Sequence, residues 1–364
     1  MNRVVNFNAG PSTLPLEVLK QIEEEIVDFR GNGLSIIEAS HRSKMYDEVH
    51  NEAIELLKEI YSIPKDFEVL FLQGGASLQF AMIPMNLYMG GEVEFVDSGS
   101  WSSKAIKEAK VQDINFRVVA SSKDTNYDRI PDNIDFSDNL DYAYITSNNT
   151  IYGTEYREFP KTKSPLVVDA SSDILSYPID WSRVELLFAG AQKNAGVAGL
   201  TVVIIKKELI ERENKKTPII LRYKTHYEKN SLYNTPPVFA IYTLNLILKW
   251  IKSIGGLREV QKRNQQKAKL LYDAIDSSDG FYVGHAKKES RSLMNVTFNI
   301  KNIDNSNNSE LEAKFVKEAI DNGMIGLKGH RSIGGLRASL YNAMSIEGVE
   351  RLVQFMHNFQ TKNS

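Results

Sequence analysis

Seven short β-prone runs crowd the middle of the chain, at residues 67–72, 92–97, 115–119, 141–146, 165–169, 185–189 and 200–205. Several are almost continuously apolar, the pattern of strands buried on both faces. Helical or loop segments, including 77–89 and 101–111, separate several of them. This rhythm predicts an α/β fold: a mainly parallel, seven-stranded sheet covered on both faces. Ligands of such sheets bind in the crevice beyond the carboxyl ends of the strands. Residues just after each run are therefore the first candidates for chemistry.

The flanks bound the domains. Asn8 to Pro15 is a turn-rich arm in which Ser12 or Thr13 can cap the next helix. Residues 16–30 place Leu19, Ile22, Ile26 and Phe29 on one helical face, and Gly31 and Gly33 stop that helix. A second amphipathic helix is expected over 45–61. After 206 the chain turns charged and irregular until an apolar helix over 238–253, a break at Gly255-Gly256, and a long polar helix over 257–276. The remainder reads as strand 292–300, helix 309–322, strand 336–341 and helix 346–360, a small α+β domain. The expected division is an arm at 1–15 packing with the small domain, a large domain at 16–256 and a small C-terminal domain at 257–364.

Composition excludes several function classes. The formal net charge is -2, which gives no strong field for nucleic acid or an anionic membrane. There is no cysteine, so disulfides, thiolate metal sites and a cysteine nucleophile are all ruled out. The histidines show no HxxxH or HExxH spacing, and no metal is expected. The start lacks an apolar signal region and no run reaches the length of a membrane span. A cytoplasmic location is the expectation.

The candidate chemistry falls at the strand ends. Lys193 follows the sixth run, among Gly190, Ala191, Ala195, Gly196 and Gly199. Small neighbours let the backbone approach a bulky ligand, and desolvation there lowers an amine toward a nucleophile. A Schiff-base lysine beneath a flat aldehyde cofactor needs this arrangement; a surface turn is the plainer alternative. Gln73-Gly74-Gly75-Ala76-Ser77 opens a helix after the first run, a setting for a phosphate that is neither a dinucleotide fingerprint nor a P-loop. Trp101 can stack on a ring. Asp169, ending a run of apolar residues, is costly unless paired, and a protonated ring nitrogen is a suitable partner. Thr150 can hydrogen-bond a ring substituent. His41-Arg42 and the segment from His330-Arg331 to Arg337 supply arginine forks for carboxylate or phosphate. Together these are the parts of a pyridoxal 5'-phosphate enzyme.

At this point the chain resembles, essentially end to end, the phosphoserine aminotransferase family of class V, fold-type I enzymes. The resemblance rests on Asn6 to Pro11, Ser40 to Ser43, Gln73-Gly74-Gly75, Trp101, Asn148 to Gly153, Asp169 to Ser172, Gly190 to Asn194, Tyr233 to Pro237 and Gly329 to Asn342. It implies the fold of the type I transferases and a pyridoxal 5'-phosphate cofactor. It implies Lys193 as the lysine that joins the cofactor and shuttles the proton, Asp169 on the ring nitrogen, Trp101 on the ring face and Thr150 by the phenolic oxygen. The cofactor phosphate would take the amides of Ala76 and Ser77, the Gln192 side chain, and Asn234 with Thr235 from a second subunit, hence a homodimer with shared sites. Arg337 would hold the substrate α-carboxylate. His330 and Arg331, with His41 and Arg42 of the second subunit, would hold the substrate phosphate or the distal carboxylate of glutamate. Some members of the family carry an arginine where this chain has Ser77.

The implied reaction is reversible transamination between O-phospho-L-serine and 2-oxoglutarate, giving 3-phosphooxypyruvate and L-glutamate, with 4-phosphooxy-L-threonine as a further substrate in pyridoxine synthesis. The rivals are a serine– or alanine–glyoxylate aminotransferase, which would not need two His-Arg clusters, and a non-catalytic binding protein. A cysteine desulfurase of the same fold needs the cysteine that is absent here.

Overall fold

The computed structural model describes residues 3–212 and 214–363. All seven runs are strands of one sheet: β1 (Phe67–Leu72), β2 (Val93–Asp97), β3 (Phe116–Ser121), β4 (Tyr142–Thr146), β5 (Leu166–Asp169), β6 (Leu186–Gly190) and β7 (Thr201–Lys206). Their spatial order is β1-β7-β6-β5-β4-β2-β3. Every pair is parallel except the two made by β7, which runs against both β6 and β1.

Alternation along each strand sorts side chains onto two apolar layers. Ala143, Ile145, Val168, Leu187 and Ile204 face the helices Lys44–Ile60 and Val238–Ser253. Tyr142, Tyr144, Val167, Phe188 and Val203 face the helices Gly75–Leu87 and Ser100–Val111. Because β4, β5 and β6 are buried along their whole length, the central strands had to be apolar at consecutive positions. The edge strand β3 is half exposed and carries Arg117, which pairs with the buried Glu94 of β2.

A second core lies around the antiparallel strands Tyr282–Gly284, Asn295–Ile300 and Leu336–Ser339 and the helices Ser309–Asp321 and Ile346–Asn363. Phe315 packs edge-on against both Phe298 and Phe359 there. The N-terminal arm joins this second core: Val5–Asn6 pairs in parallel with Met324–Ile325, and Phe7 is fully buried. Gly326 permits that approach, because a Cβ on it would lie 2.5 Å from the amide nitrogen of Asn8. The helix Gly256–Asp276 spans the two cores, with Leu257 and Val260 in the first and Leu271 and Ile275 in the second.

Three expectations need correction. The helix expected over 16–30 is Leu16–Glu25, and Val18 rather than Leu19 or Ile26 is its buried residue. The chain leaves the helix so that Phe29 can pack edge-on to Tyr242 at 5.5 Å, with Arg30 in a left-handed turn (φ 55). The strands expected over 292–300 and 336–341 are shorter, Asn295–Ile300 and Leu336–Ser339. The strand Tyr282–Gly284 and the two-residue arm strand are too short to show a period in the sequence. Among the described residues no single helix is long and apolar enough to cross a membrane.

Candidate active site

The antiparallel strands β6 and β7 are joined by a short loop, closed where the Ala191 N–H donates to the Leu200 carbonyl at 2.9 Å. Lys193 stands on this loop. Its backbone is held from outside: the Ser12 hydroxyl donates to the Lys193 carbonyl, and the Ser12 N–H donates to the Gln192 carbonyl at 3.0 Å. A Cβ on Gly190 would lie 2.7 Å from Oε1 of Gln192, so the glycine is what lets that side chain fold back over the strand end.

The lysine amine donates to Thr150 Oγ1 at 2.9 Å. Burial lowers its pKa to about 8; Asp169 opposes that shift, Arg337 adds to it, and Asp173 opposes it. An amine at about 8 is neutral in roughly a tenth of molecules at pH 7, against well under a hundredth for an ordinary lysine. Desolvation thus supplies the free base that an attack on an aldehyde requires.

Asp169 ends β5 and is 3% exposed. Its Oδ1 accepts the Ser171 N–H at 3.0 Å, the local turn contact that an aspartate makes readily. Burial nevertheless raises its carboxyl above the usual range, against the pull of Ser171 and of Lys193. Trp101, in the first turn of Ser100–Val111, lies near two amines. Lys193 Nζ is 5.8 Å from its ring centroid and Lys104 Nζ is 4.2 Å from it.

Gly74 and Gly75 both have left-handed backbones (φ 87 and 64), and a Cβ on Gly74 would fall 2.5 Å from Leu78 Cδ2. Only glycine turns β1 into the helix Gly75–Leu87 this tightly. Ala76 and Ser77 lie in its first turn, where amides lack intrahelical partners and favour an anion.

The second core delivers the cations. Arg337, on Leu336–Ser339, donates from Nη1 to the Thr150 carbonyl at 3.3 Å. Burial lowers the pKa of its guanidinium. His330 lies where burial and the charges of Arg337, Arg331 and Lys104 together push its imidazole down. Lys193, Thr150, Trp101, Asp169, Arg337, His330 and Arg331 therefore share one region at the carboxyl ends of the sheet. His41 and Arg42 do not: they line a separate surface cavity of about 510 Å³ with Lys44, Asp47 and Leu232. Asn234 and Thr235 are exposed, and the Thr235 carbonyl accepts from Gln73 Nε2 at 3.2 Å.

Residues 4–352 match the aminotransferase class-V family. The chain belongs to the class-V aminotransferases. It is 57% identical over 363 residues to the phosphoserine aminotransferase of Campylobacter lari, covering 100% of both chains. The solved phosphoserine aminotransferase of Bacillus circulans subsp. alkalophilus superposes with a TM-score of 0.95 at 50% identity, over 100% of this chain and 99% of that one. The solved PLP-bound phosphoserine aminotransferase of Trichomonas vaginalis gives 0.93 at 41% identity, over 98% and 100%. The architecture is that of the fold-type I PLP transferases.

The residues of this class-V aminotransferase fit pyridoxal 5'-phosphate. A buried, basic carboxylate at Asp169 suits a protonated ring nitrogen, and a depressed lysine suits an aldehyde. Arg337 Nε, buried without a partner, is a donor left for an anionic substrate group. Three residues near the site do not stand out in the sequence. Lys104 sits one helical turn after Trp101, and that i, i+3 spacing was the available signal. Tyr341 donates to the Ala9 carbonyl at 2.7 Å and accepts from Asn295 Nδ2 at 3.2 Å. Asp173 is buried four residues after Asp169.

Glu155 stands beside Asp173, 2% exposed. Burial, then the Asp173 charge, pushes its pKa up to about 8, against the Leu293 N–H and Arg157. Its folded value lies above its unfolded one, so the folded state gains protons there. Its contribution to stability is complete below about pH 4.5 and is lost as pH rises toward 8. The melting temperature of Glu155→Gln should therefore rise relative to the parent between pH 5 and 8. A gap that stays constant across that range in calorimetry would contradict a proton held on Glu155.

Proposed function

We propose that the chain is a phosphoserine aminotransferase of serine biosynthesis, catalysing reversible amino transfer between O-phospho-L-serine and 2-oxoglutarate to give 3-phosphooxypyruvate and L-glutamate. The observation that carries the reading is the 57% identity to the Campylobacter lari phosphoserine aminotransferase over the full length of both chains. The cations that converge near Lys193 support it, because both substrates combine an α-carboxylate with a distal anion. 4-Phosphooxy-L-threonine presents the same two anions, and the proposal extends to it as a role in pyridoxine synthesis.

In this reading pyridoxal 5'-phosphate supplies an aldehyde carbon for the amino group and a ring that draws electrons from the substrate Cα. Asp169 would hold the proton on the ring nitrogen, Trp101 would cover the ring, and Thr150 would lie by the phenolic oxygen. Ala76, Ser77 and Gln192 would hold the cofactor phosphate together with the partner subunit's Asn234 and the partner subunit's Thr235. Arg337 grips the α-carboxylate and so aims the Cα–H bond at Lys193. Lys193 would be the group that takes up and moves that proton. His330 and Arg331, with the partner subunit's His41 and the partner subunit's Arg42, take the distal anion.

The active unit is accordingly a cytoplasmic homodimer, its chains divided into an arm at 1–15, a large domain at 16–256 and a small domain at 257–364. Light scattering that returns a monomer mass for the active species would remove the shared site.

The test is a half-reaction followed by cofactor absorbance with phosphoserine, glutamate and alanine side by side. Phosphoserine and glutamate should convert the cofactor; alanine, lacking a distal anion, should lag by about a hundredfold. Equal rates for alanine and phosphoserine would overturn the assignment. Arg42→Ala should lower kcat/KM for phosphoserine by about thirtyfold or more and leave alanine nearly unchanged.

A further inference from the structure

A second buried carboxylate backs the first. Asp173 is 2% exposed. Its Oδ1 accepts the Ser147 hydroxyl at 2.5 Å, and its Oδ2 accepts the Tyr177 hydroxyl at 2.7 Å. Ser147 also holds Asp169, since its N–H donates to the Asp169 carbonyl at 3.0 Å and its hydroxyl lies 3.0 Å from the same oxygen. One serine thus spans the two aspartates. Among the described residues no arginine or lysine forms an ion pair with either of them.

Buried carboxylates without a cation are disfavoured, and an uncharged residue of similar shape would ordinarily be more stable there. The groups that face Asp173 are Asp169, Glu155, Lys193, Tyr177, Tyr61 and Tyr341. Burial raises the pKa of both Asp173 and Glu155, and the charge of Asp173 pushes Glu155 up further. The buried carboxyl groups of Asp169 and Asp173 thus face one amine, Lys193, whose own charge burial disfavours. A protonated ring nitrogen at Asp169 supplies the missing positive charge.

We propose that Asp173 is a positioning residue for the reaction: its carboxylate fixes Asp169 through Ser147 and adds a negative potential that keeps the proton on the cofactor's ring nitrogen. This rests on the reading of Asp169 as the partner of that nitrogen. Asp173 would act without touching the ring, through its hold on Asp169 and through its charge.

The distinguishing probe is a pair of cofactors: pyridoxal 5'-phosphate and its analogue with carbon in place of the ring nitrogen. The full-length protein is stripped, reconstituted with each, and the two dissociation constants are measured without substrate. The parent should prefer the natural cofactor. Asp173→Asn should shrink that preference on the order of tenfold while affinity for the carbon analogue stays nearly constant. An equal loss of affinity for both would mark a merely structural role and overturn the proposal.

Tyr177→Phe, which removes only the 2.7 Å contact, guards against misfolding of the asparagine variant. It should shrink the preference in the same direction by a smaller factor, and an unchanged preference in this variant would also overturn the proposal. Asp169→Asn separates the two readings. If it keeps the parent's preference, the assignment of Asp169 itself fails. If it abolishes the preference while both other variants retain theirs, only the role of Asp173 fails.

Discussion

Replacing Lys193 with alanine is expected to slow the half-reaction with glutamate or phosphoserine by about 10⁴-fold or more. General acid–base catalysis by a positioned group contributes roughly 10²–10⁴ on its own, and in the proposed reading this lysine is also the nucleophile for the aldehyde. The structure gives the amine both qualifications. Burial brings it to about 8, and the 2.9 Å bond to Thr150 fixes its direction. The variant should bind the cofactor, since the proposal assigns the phosphate, ring-nitrogen and ring-face contacts to other residues. A small primary amine in the buffer should restore part of the rate, which a folding defect would not allow. The cofactor-free variant should be at least as heat-stable as the parent, because a lysine whose pKa folding lowers is a lysine whose charge folding penalises. Normal conversion of the cofactor by glutamate in this variant would refute the role of Lys193.

Arg337→Ala should raise KM for every amino-acid and oxo-acid substrate, by about 30-fold or more, and lower kcat as well. Truncating one partner of a buried, hydrogen-bonded charge pair typically loses about 2–5 kcal/mol. The guanidinium is already oriented: Nη1 is spent on the Thr150 carbonyl, leaving Nε buried without a partner and available to a carboxylate. Thr150 also receives the lysine's bond, so Arg337 and Lys193 are referenced to one residue. In the proposed reading, losing the arginine would loosen the angle at which Cα–H meets the amine, which is why kcat should fall along with affinity. Arg337→Lys should recover little, because an ammonium cannot reproduce the planar fork. Steady-state kinetics with glutamate and with alanine would check this; a loss confined to phosphoserine would place Arg337 at the distal anion instead.

The sheet was legible because its strands are buried on both faces and had to be written in runs of apolar residues. The direction of β7 was not legible, since the same run of Val and Ile suits either sense. Phe29 fell on the predicted helical face yet lies beyond the helix, because its contact with Tyr242 outweighed local periodicity. Of the candidate residues, Lys193, Asp169, Trp101 and Thr150 stood out because each ends a strand or follows one within a few residues. Asp173 did not, for a carboxylate in a turn reads as a cap until its burial is known. His41 and Arg42 line a surface cavity apart from the Lys193 region, and Asn234 and Thr235 are exposed.

Ser12 holds the lysine's own carbonyl, while five residues earlier the same arm is buried in the other core through Phe7. Loss of the second core would release the arm and, with it, the peptide that carries the reactive amine. A thermal scan read by activity should thus report one cooperative transition even where calorimetry resolves two, and its midpoint should follow whichever core melts first.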